Sequence, residues 1–521
     1  MANTYTSLLL SYDTARRFVE DFSSSDHDTT KYVFIGNSNA YANSDTEIPD
    51  IEDTVSDERT VWDNMFAARK ITGNDVSLVI PRKNWIANTK FREFDDTVDL
   101  TTLITANASI NLEPMFVMNS EGNVYKCLSN NASNTQGSIV EPTGDYSTSN
   151  GFITTVENGD NGYIWKYMFN VKQSNKFLTN EWIPIPYSIS ALDYSSHEYN
   201  LVEGAIANIK VLNQGSGYID SNVSVSSYIS GTNILTVANT ANIANNMFVT
   251  GTGIIDGTHI RNVDTVFRKI TLSLPVTSNG SGELSIKTRV YIDGDGNDDT
   301  VSEVTIVNTS ISKISVTSIG TGYSRANAII YGTGTGANAR VILSPKYGHG
   351  YNPARELGAK TVMISKKFGE IDASENGLIS TNTSFRQYGV VSNAHKYNED
   401  AQVDSSNANT TISQTFDLTL LPGSDYQLNE FVYQGAQNTS ATFSGIVHAQ
   451  NSSNNTVRLT NVVGTVAIGA LLKGNTVSRA VSDITYPFFE PYSGEILFVQ
   501  NAAKVDRYDG QAENIKIIIN F

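Results

Sequence analysis

Ile206–Tyr218 reads IANIKVLNQGSGY, and Ile311–Tyr323 reads ISKISVTSIGTGY. Ile206/Ile311, Ile209/Ile314, Val211/Val316, Gly215/Gly320, Gly217/Gly322 and Tyr218/Tyr323 all share one offset of 105 residues. Ile209 and Val211 alternate with polar neighbours, the period of a half-buried strand. The GxGY ending supplies turn positions of positive φ and an aromatic ring to cover them. After the second copy, Ala326–Leu343 continues ANAIIYGTGTGANARVIL: a strand, a Gly-rich turn and another strand. The repeated unit is therefore built from strands and tight turns.

The same repeat decides the reading of an acidic loop. Tyr291–Val304 reads YIDGDGNDDTVSEV, in which Asp293, Asp295 and Asn297 resemble a calcium-binding set. Placed over YGTGTGANARV, the residues Tyr291/Tyr331, Gly294/Gly334, Gly296/Gly336 and Val301/Val341 coincide at one offset of 40. Asp293 and Asp295 become Thr333 and Thr335, which a calcium site would not survive. The EF-hand pattern also wants Gly where Asp298 stands and Glu where Val304 stands. The expectation is an acidic hairpin turn, with no metal and no cofactor.

Charge is spread unevenly along the 521 residues, whose net charge is −17. Leu201–Gly348 holds ten acidic and ten basic residues, and Ala401–Thr485 only five acidic and three basic. Two nearly neutral segments rich in Gly, Ser, Thr and Asn thus interrupt a strongly acidic chain. The first is itself split by a run of short alternating strands with Gly/Asn turns. The expected organisation is an N-terminal core part over 1–200, an inserted β module over 201–348 interrupted by 227–288, core again over 349–414, a second small β module over 415–485, and core strands over 486–521. The expected fold class is mainly β: a layered β-sandwich core with a few loop helices and two inserted sandwich- or barrel-like modules. Such modules are best tolerated in loops.

In the core, Tyr12–Phe22 and Ser56–Ile71 carry helical periodicity, the latter with Ser56 as N-cap and Val61, Trp62, Met65 and Phe66 on one face. In GYIWKYMFNV, Tyr163, Trp165, Tyr167, Phe169 and Val171 share one strand face. ENIKIIINF places Ile515, Ile517, Ile519 and Phe521 on another, and so apolar a strand must be paired in a sheet or an interface.

Signs of chemistry are few. The acidic balance argues against nucleic acid, whose binders need basic stripes. A single cysteine, Cys127, excludes an intrachain disulfide and a Cys-rich zinc site. It lies in the strand pattern VYKCL and is expected to pack rather than react. No apolar run approaches the roughly 18 residues of a membrane helix, and the first residues lack the basic start of a signal peptide. Expected from these is a protein made in a reducing cytoplasm, with no membrane partner. The histidines His27, His197, His259, His349, His395 and His448 are dispersed. GTGTGANAR lacks the GK[ST] of a phosphate loop. Asp95 and Asp96 could suit glycoside hydrolysis, but adjacent acids on a loop are usually solvated. The aromatic stripe from Tyr163 reads as a core face before a sugar platform. In basic VIPRKNW (Val79–Trp85), Arg82 and Lys83 could meet an acidic partner or this chain's own carboxylates. No enzyme and no small-molecule substrate is expected.

Several core segments, in order, resemble the baseplate wedge subunit, gene product eight, of T-even-like contractile-tailed bacteriophages. They are TVWDNM (Thr60–Met65), VIPRKNW, VYKCL (Val124–Leu128), TVENGDNGYIWKYMF (Thr155–Phe169), TNEWIPIPY (Thr179–Tyr187), FRQYGVVSN (Phe385–Asn393), SGEILFVQN (Ser493–Asn501) and the closing IKIIINF. The resemblance covers roughly 1–200, 349–412 and 486–521. The two neutral inserts depart from the family pattern. What it implies is an all-β structural virion protein of the tail baseplate, assembled in the host cytoplasm. It would form a homodimer that clamps neighbouring wedge and short-fibre-attachment proteins. Trp62, Pro81, Arg82, Trp85, Tyr163, Trp165 and Tyr167 are the family-motif candidates for core or interface. The rival reading is a tail-associated adhesin or depolymerase acting on host glycans.

Overall fold

The computed structural model describes residues 7–22, 30–42, 44–130, 136–144, 160–186, 202–297, 301–369, 379–403, 411–508 and 510–521. Among the sequence expectations, Asp298, His27, His197, Tyr187 and residues 155–159 lie outside them. The chain is mainly β, with several small antiparallel sheets, one closed barrel and few short helices. It divides into two compact units. One holds Val79–Lys360 with the residues up to Tyr12; the other holds Asp13–Leu78 and Thr361–Phe521. The segment 1–200 thus contributes to both, and the first insert shares a unit with Val79 onward.

In the first unit the repeat builds a module with internal two-fold symmetry. Its sheet runs Val301–Val307, Ser310–Ser318, Ile206–Ser216, Thr335–Leu343. The two repeat strands meet antiparallel at Ile209↔Ile314, residues equivalent under the 105-residue offset. The pseudo-dyad passes through that pair. Arg289–Gly294 and Ala326–Tyr331 form a second antiparallel pair related by the same axis. Gly215, Gly217, Gly320 and Gly322 all have positive φ, as the GxGY reading requires.

The tyrosines cross over between copies. A Cβ on Gly334 would sit 2.4 Å from the Tyr218 ring, and one on Gly296 would sit 2.5 Å from the Tyr323 ring. Each ring therefore lies flat on the Gly-rich turn of the other copy, a contact that only glycine permits. The register corrects one sequence match. Val341 faces Ile209, and it is Val304, not Val301, that faces Ile314. The acidic turn is three residues longer than its counterpart, so the 40-residue offset fails beyond it.

The unit inserted into the first copy is a small sandwich. Its two three-stranded sheets enclose Val223, Val225, Leu235, Met247, Val249, Ile260, Ile270, Leu272, Leu284 and Ile286. Ser221 pairs with Ile286, so the module enters and leaves on neighbouring strands.

In the second unit a five-stranded sheet runs Thr411–Ser413, Met65–Lys70, Lys31–Gly36, Thr383–Ser392, Glu495–Arg507. Below it pack Tyr32, Phe34, Val61, Trp62, Met65, Val391 and Phe489. The helix expected over Ser56–Ile71 spans only Val55–Asn64, and its N-cap is Thr54, whose hydroxyl accepts from the Asp57 amide at 3.1 Å. Met65–Lys70 is strand, buried on both faces. A strand covered on both sides shows no alternation, so its apolar run passes for a helix face. The second insert is a closed six-strand barrel whose first and last strands pair, Asp417 opposite Thr485.

The insertion geometry predicts that Ser221–Ser285 can be removed and Asp220 joined to Ile286, giving the first copy the short connection of the second. The trimmed protein should unfold cooperatively with unchanged strand content by circular dichroism. Precipitation or a lost transition would show that the sandwich is part of the core.

Candidate functional site

Three of the quoted motifs meet in the first unit. Asn123–Asn130, a strand buried at every position, pairs with Tyr163–Asn170. Phe91, Val117, Tyr125, Cys127, Tyr163 and Trp165 form one cluster, with Trp85 and Tyr167 packed against it. The Tyr163 and Trp165 rings stack at 5.8 Å, and Phe91 meets Trp165 edge-on at 5.2 Å. Asp160 holds the polar rim. It accepts from the Trp165 indole at 3.2 Å, the Ser138 hydroxyl at 2.8 Å and the Val140 amide at 2.9 Å. Ser138 in turn accepts from the Trp85 indole at 2.9 Å. The stripe is core; its rings face other rings rather than a groove. Cys127 is fully buried within it, which pushes its thiol well above the usual range.

Pro81 is exposed at the end of Val76–Pro81, opposite Trp182. Arg82 donates to Asn84 Oδ1 at 2.9 Å and to the Thr179 carbonyl at 2.8 Å, both neutral acceptors. Lys83 pairs with Glu113 at 2.5 Å. Trp62 stands apart from these, buried in the other unit and edge-on to Phe489 at 6.5 Å.

The acidic residues that invited a chemical reading are engaged in packing. Asp295 accepts from the Ser324 amide at 2.9 Å and the Arg325 amide at 3.0 Å, and the Ser324 hydroxyl bond holds its carboxyl below the usual range. Asn297 Oδ1 accepts from the Thr321 amide at 3.1 Å. In the other copy, the Thr333 hydroxyl accepts from the Ile219 amide, the counterpart of Ser324. Among the described residues no group of three or more His, Cys, Asp and Glu could hold a metal ion. Asp95 and Asp96 together grip Arg340, and Lys210 reaches Asp95 at 3.3 Å and Glu93 at 2.8 Å. Burial would raise the Asp95 carboxyl, but hydrogen bonds from Thr97 and Arg340 lower it to about 2. A general acid needs the opposite shift. These carboxylates fasten the repeat module to the strand Lys90–Phe91 that precedes them.

Sequence reasoning missed the buried charges. Lys126 is wholly enclosed, 2.9 Å from Glu356, 3.1 Å from His349 Nδ1 and 3.9 Å above the Phe94 ring. Glu356 also accepts from the Gly350 amide at 2.7 Å. Burial alone would raise Glu356; the Lys126 ammonium overrides it and holds the carboxyl at about 2. Burial, and then the same ammonium, lowers His349 to about 4. Nothing in the local sequence around Lys126 or Glu356, more than two hundred residues apart, advertises the pair. His448 is likewise buried against Phe66, ring centres 4.0 Å apart, and burial lowers it to about 3. No helix among the described residues is long and apolar enough to cross a membrane. No protein-family model matches the chain, and no curated protein matches it either.

Both histidines have folded-state values below the ordinary 6.5. Between that value and about 4 the unfolded chain binds protons that the folded chain refuses, so stability falls as pH drops. Between pH 7 and pH 5 each should remove roughly 2 kcal/mol. Urea unfolding of His448→Leu should show a shallower fall than the parent over that range. Parallel pH profiles would mean that His448 already titrates normally in the folded protein.

Proposed function

We propose that this chain is a structural virion protein, a baseplate wedge subunit of a contractile phage tail, which forms a homodimer and holds neighbouring wedge and fibre-attachment proteins in register. The observation that carries this reading is the convergence of VIPRKNW, VYKCL and GYIWKYMF on one aromatic core. Segments that resemble the family in order along the chain also pack together, as a framework common to a family would. The investment of Asp95, Asp96, Asp160, Asp295 and Glu356 in internal contacts supports a mechanical role over a catalytic one. The sandwich and the barrel each enter and leave on paired strands, which suits them as added surfaces on that framework. The mechanism is positional: rigid units keep partners in place and move as bodies when the baseplate changes state.

Light scattering on the purified chain, alone and mixed with the other wedge proteins of its source phage, tests this. A dimer that enters a larger complex of fixed stoichiometry is expected. A chain that ignores those proteins at micromolar concentration overturns the reading, whatever its own oligomeric state.

A further inference from the structure

Sheet edges are templates for further pairing, and proteins blunt them with bulges, short strands, charge or cover. Among the described residues, Tyr163–Asn170, Ser221–Tyr228, Val301–Val307, Thr335–Leu343 and Glu495–Arg507 are edge strands of seven residues or more, and each has a register shift against its neighbour. Ala512–Asn520 is the exception. It lies at the edge of its sheet and pairs with Thr361–Gly369 over nine consecutive residues without a shift. Among the described residues no backbone group bonds to its outer side. Its sequence, AENIKIIIN, is rich in β-branched residues and has no proline. Ile515 and Ile517 are buried under the sheet, and Lys516 and Ile518 lie half-buried on the other face.

We propose that Ala512–Asn520 pairs antiparallel with the same strand of a second copy, joining two sheets across a dyad. The occupant follows from the charge pattern of the strand. Centred on Ile517, Ile515 of one copy faces Ile519 of the other, Ile517 faces itself, Lys516 faces Ile518 and Asn514 faces Asn520. No like charges oppose within these pairs, and the isoleucine row continues unbroken under both sheets. Centred one residue earlier, the two Lys516 ammoniums would face each other, so charge excludes that register, and centring on Ile517 keeps the isoleucines Ile515, Ile517 and Ile519 opposed to one another. The dimer rests on the reading given under Proposed function; the strand that makes it does not.

Sedimentation equilibrium of the full chain and two variants tests this. Ile518→Lys places two lysine pairs in opposition across the dyad and should weaken the dimer at least tenfold. Ile518→Glu places glutamate opposite each Lys516 and should dimerise as tightly as the parent or more tightly. Amide exchange over Ala512–Asn520 should slow as the parent dimerises, a readout that a folding defect would not mimic. A parent dimer left unchanged by both variants overturns the strand assignment but not the wedge reading. A parent that stays monomeric at 100 μM, roughly the concentration at which weak specific pairs still form, overturns the strand assignment as well; mixing with wedge proteins then judges the function separately.

Discussion

Buried charge pairs hold this chain's separated segments together. Lys126 and Glu356 meet at 2.9 Å although the whole repeat module lies between them in sequence. In the other unit Lys366 meets Asp75 at 2.8 Å, and the buried Arg386 meets the partly exposed Asp45 at 2.6 Å. Each pair joins a residue from before the first insert to one that lies after it and ahead of the second. Such pairs add little net stability over apolar packing, but removing one partner strands a charge in the interior. They act as locks on connectivity: a fold with the first insert in place but its flanks misaligned would leave several charges unpaired.

The module between those flanks follows a different constraint. Its two copies cover each other, Tyr218 on Gly332 and Gly334, Tyr323 on Gly294 and Gly296. Neither copy can finish its own core, so they must fold as a pair. The exchange fixes the turns but leaves the chain between Tyr218 and Arg289 unconstrained, and there one copy accommodates a complete sandwich. The longer acidic turn is tied down by Asp295, and in the other copy the Thr333 hydroxyl serves the equivalent amide.

Much of this was legible in the sequence because it is local. The GxGY spacing gave the turn glycines. The alternation in GYIWKYMF gave the buried face bearing Tyr163 and Trp165. What was hidden depends on partners far along the chain. Asp160 reads as one more loop acid until Trp165, Ser138 and Val140 converge on it. Lys126 in VYKCL is buried with Glu356 as its partner, a residue far along the chain that the local pattern does not show. Met65–Lys70 reads as helix because both of its faces are buried, so its apolar residues show no alternation. The match of Val301 to Val341 failed because an insertion inside a turn leaves no trace in composition.

The central claim is that the framework is closed across its first insert by buried ion pairs, and the coupling between Lys126 and Glu356 tests it most directly. Unfolding free energies of Lys126→Met, Glu356→Leu and the double variant measure it. Each single change should destabilise by about 3 kcal/mol, and the double variant should lose at least about 1 kcal/mol less than the two singles together. Fully additive losses would contradict the account, since the two charges would then stabilise the fold independently of each other.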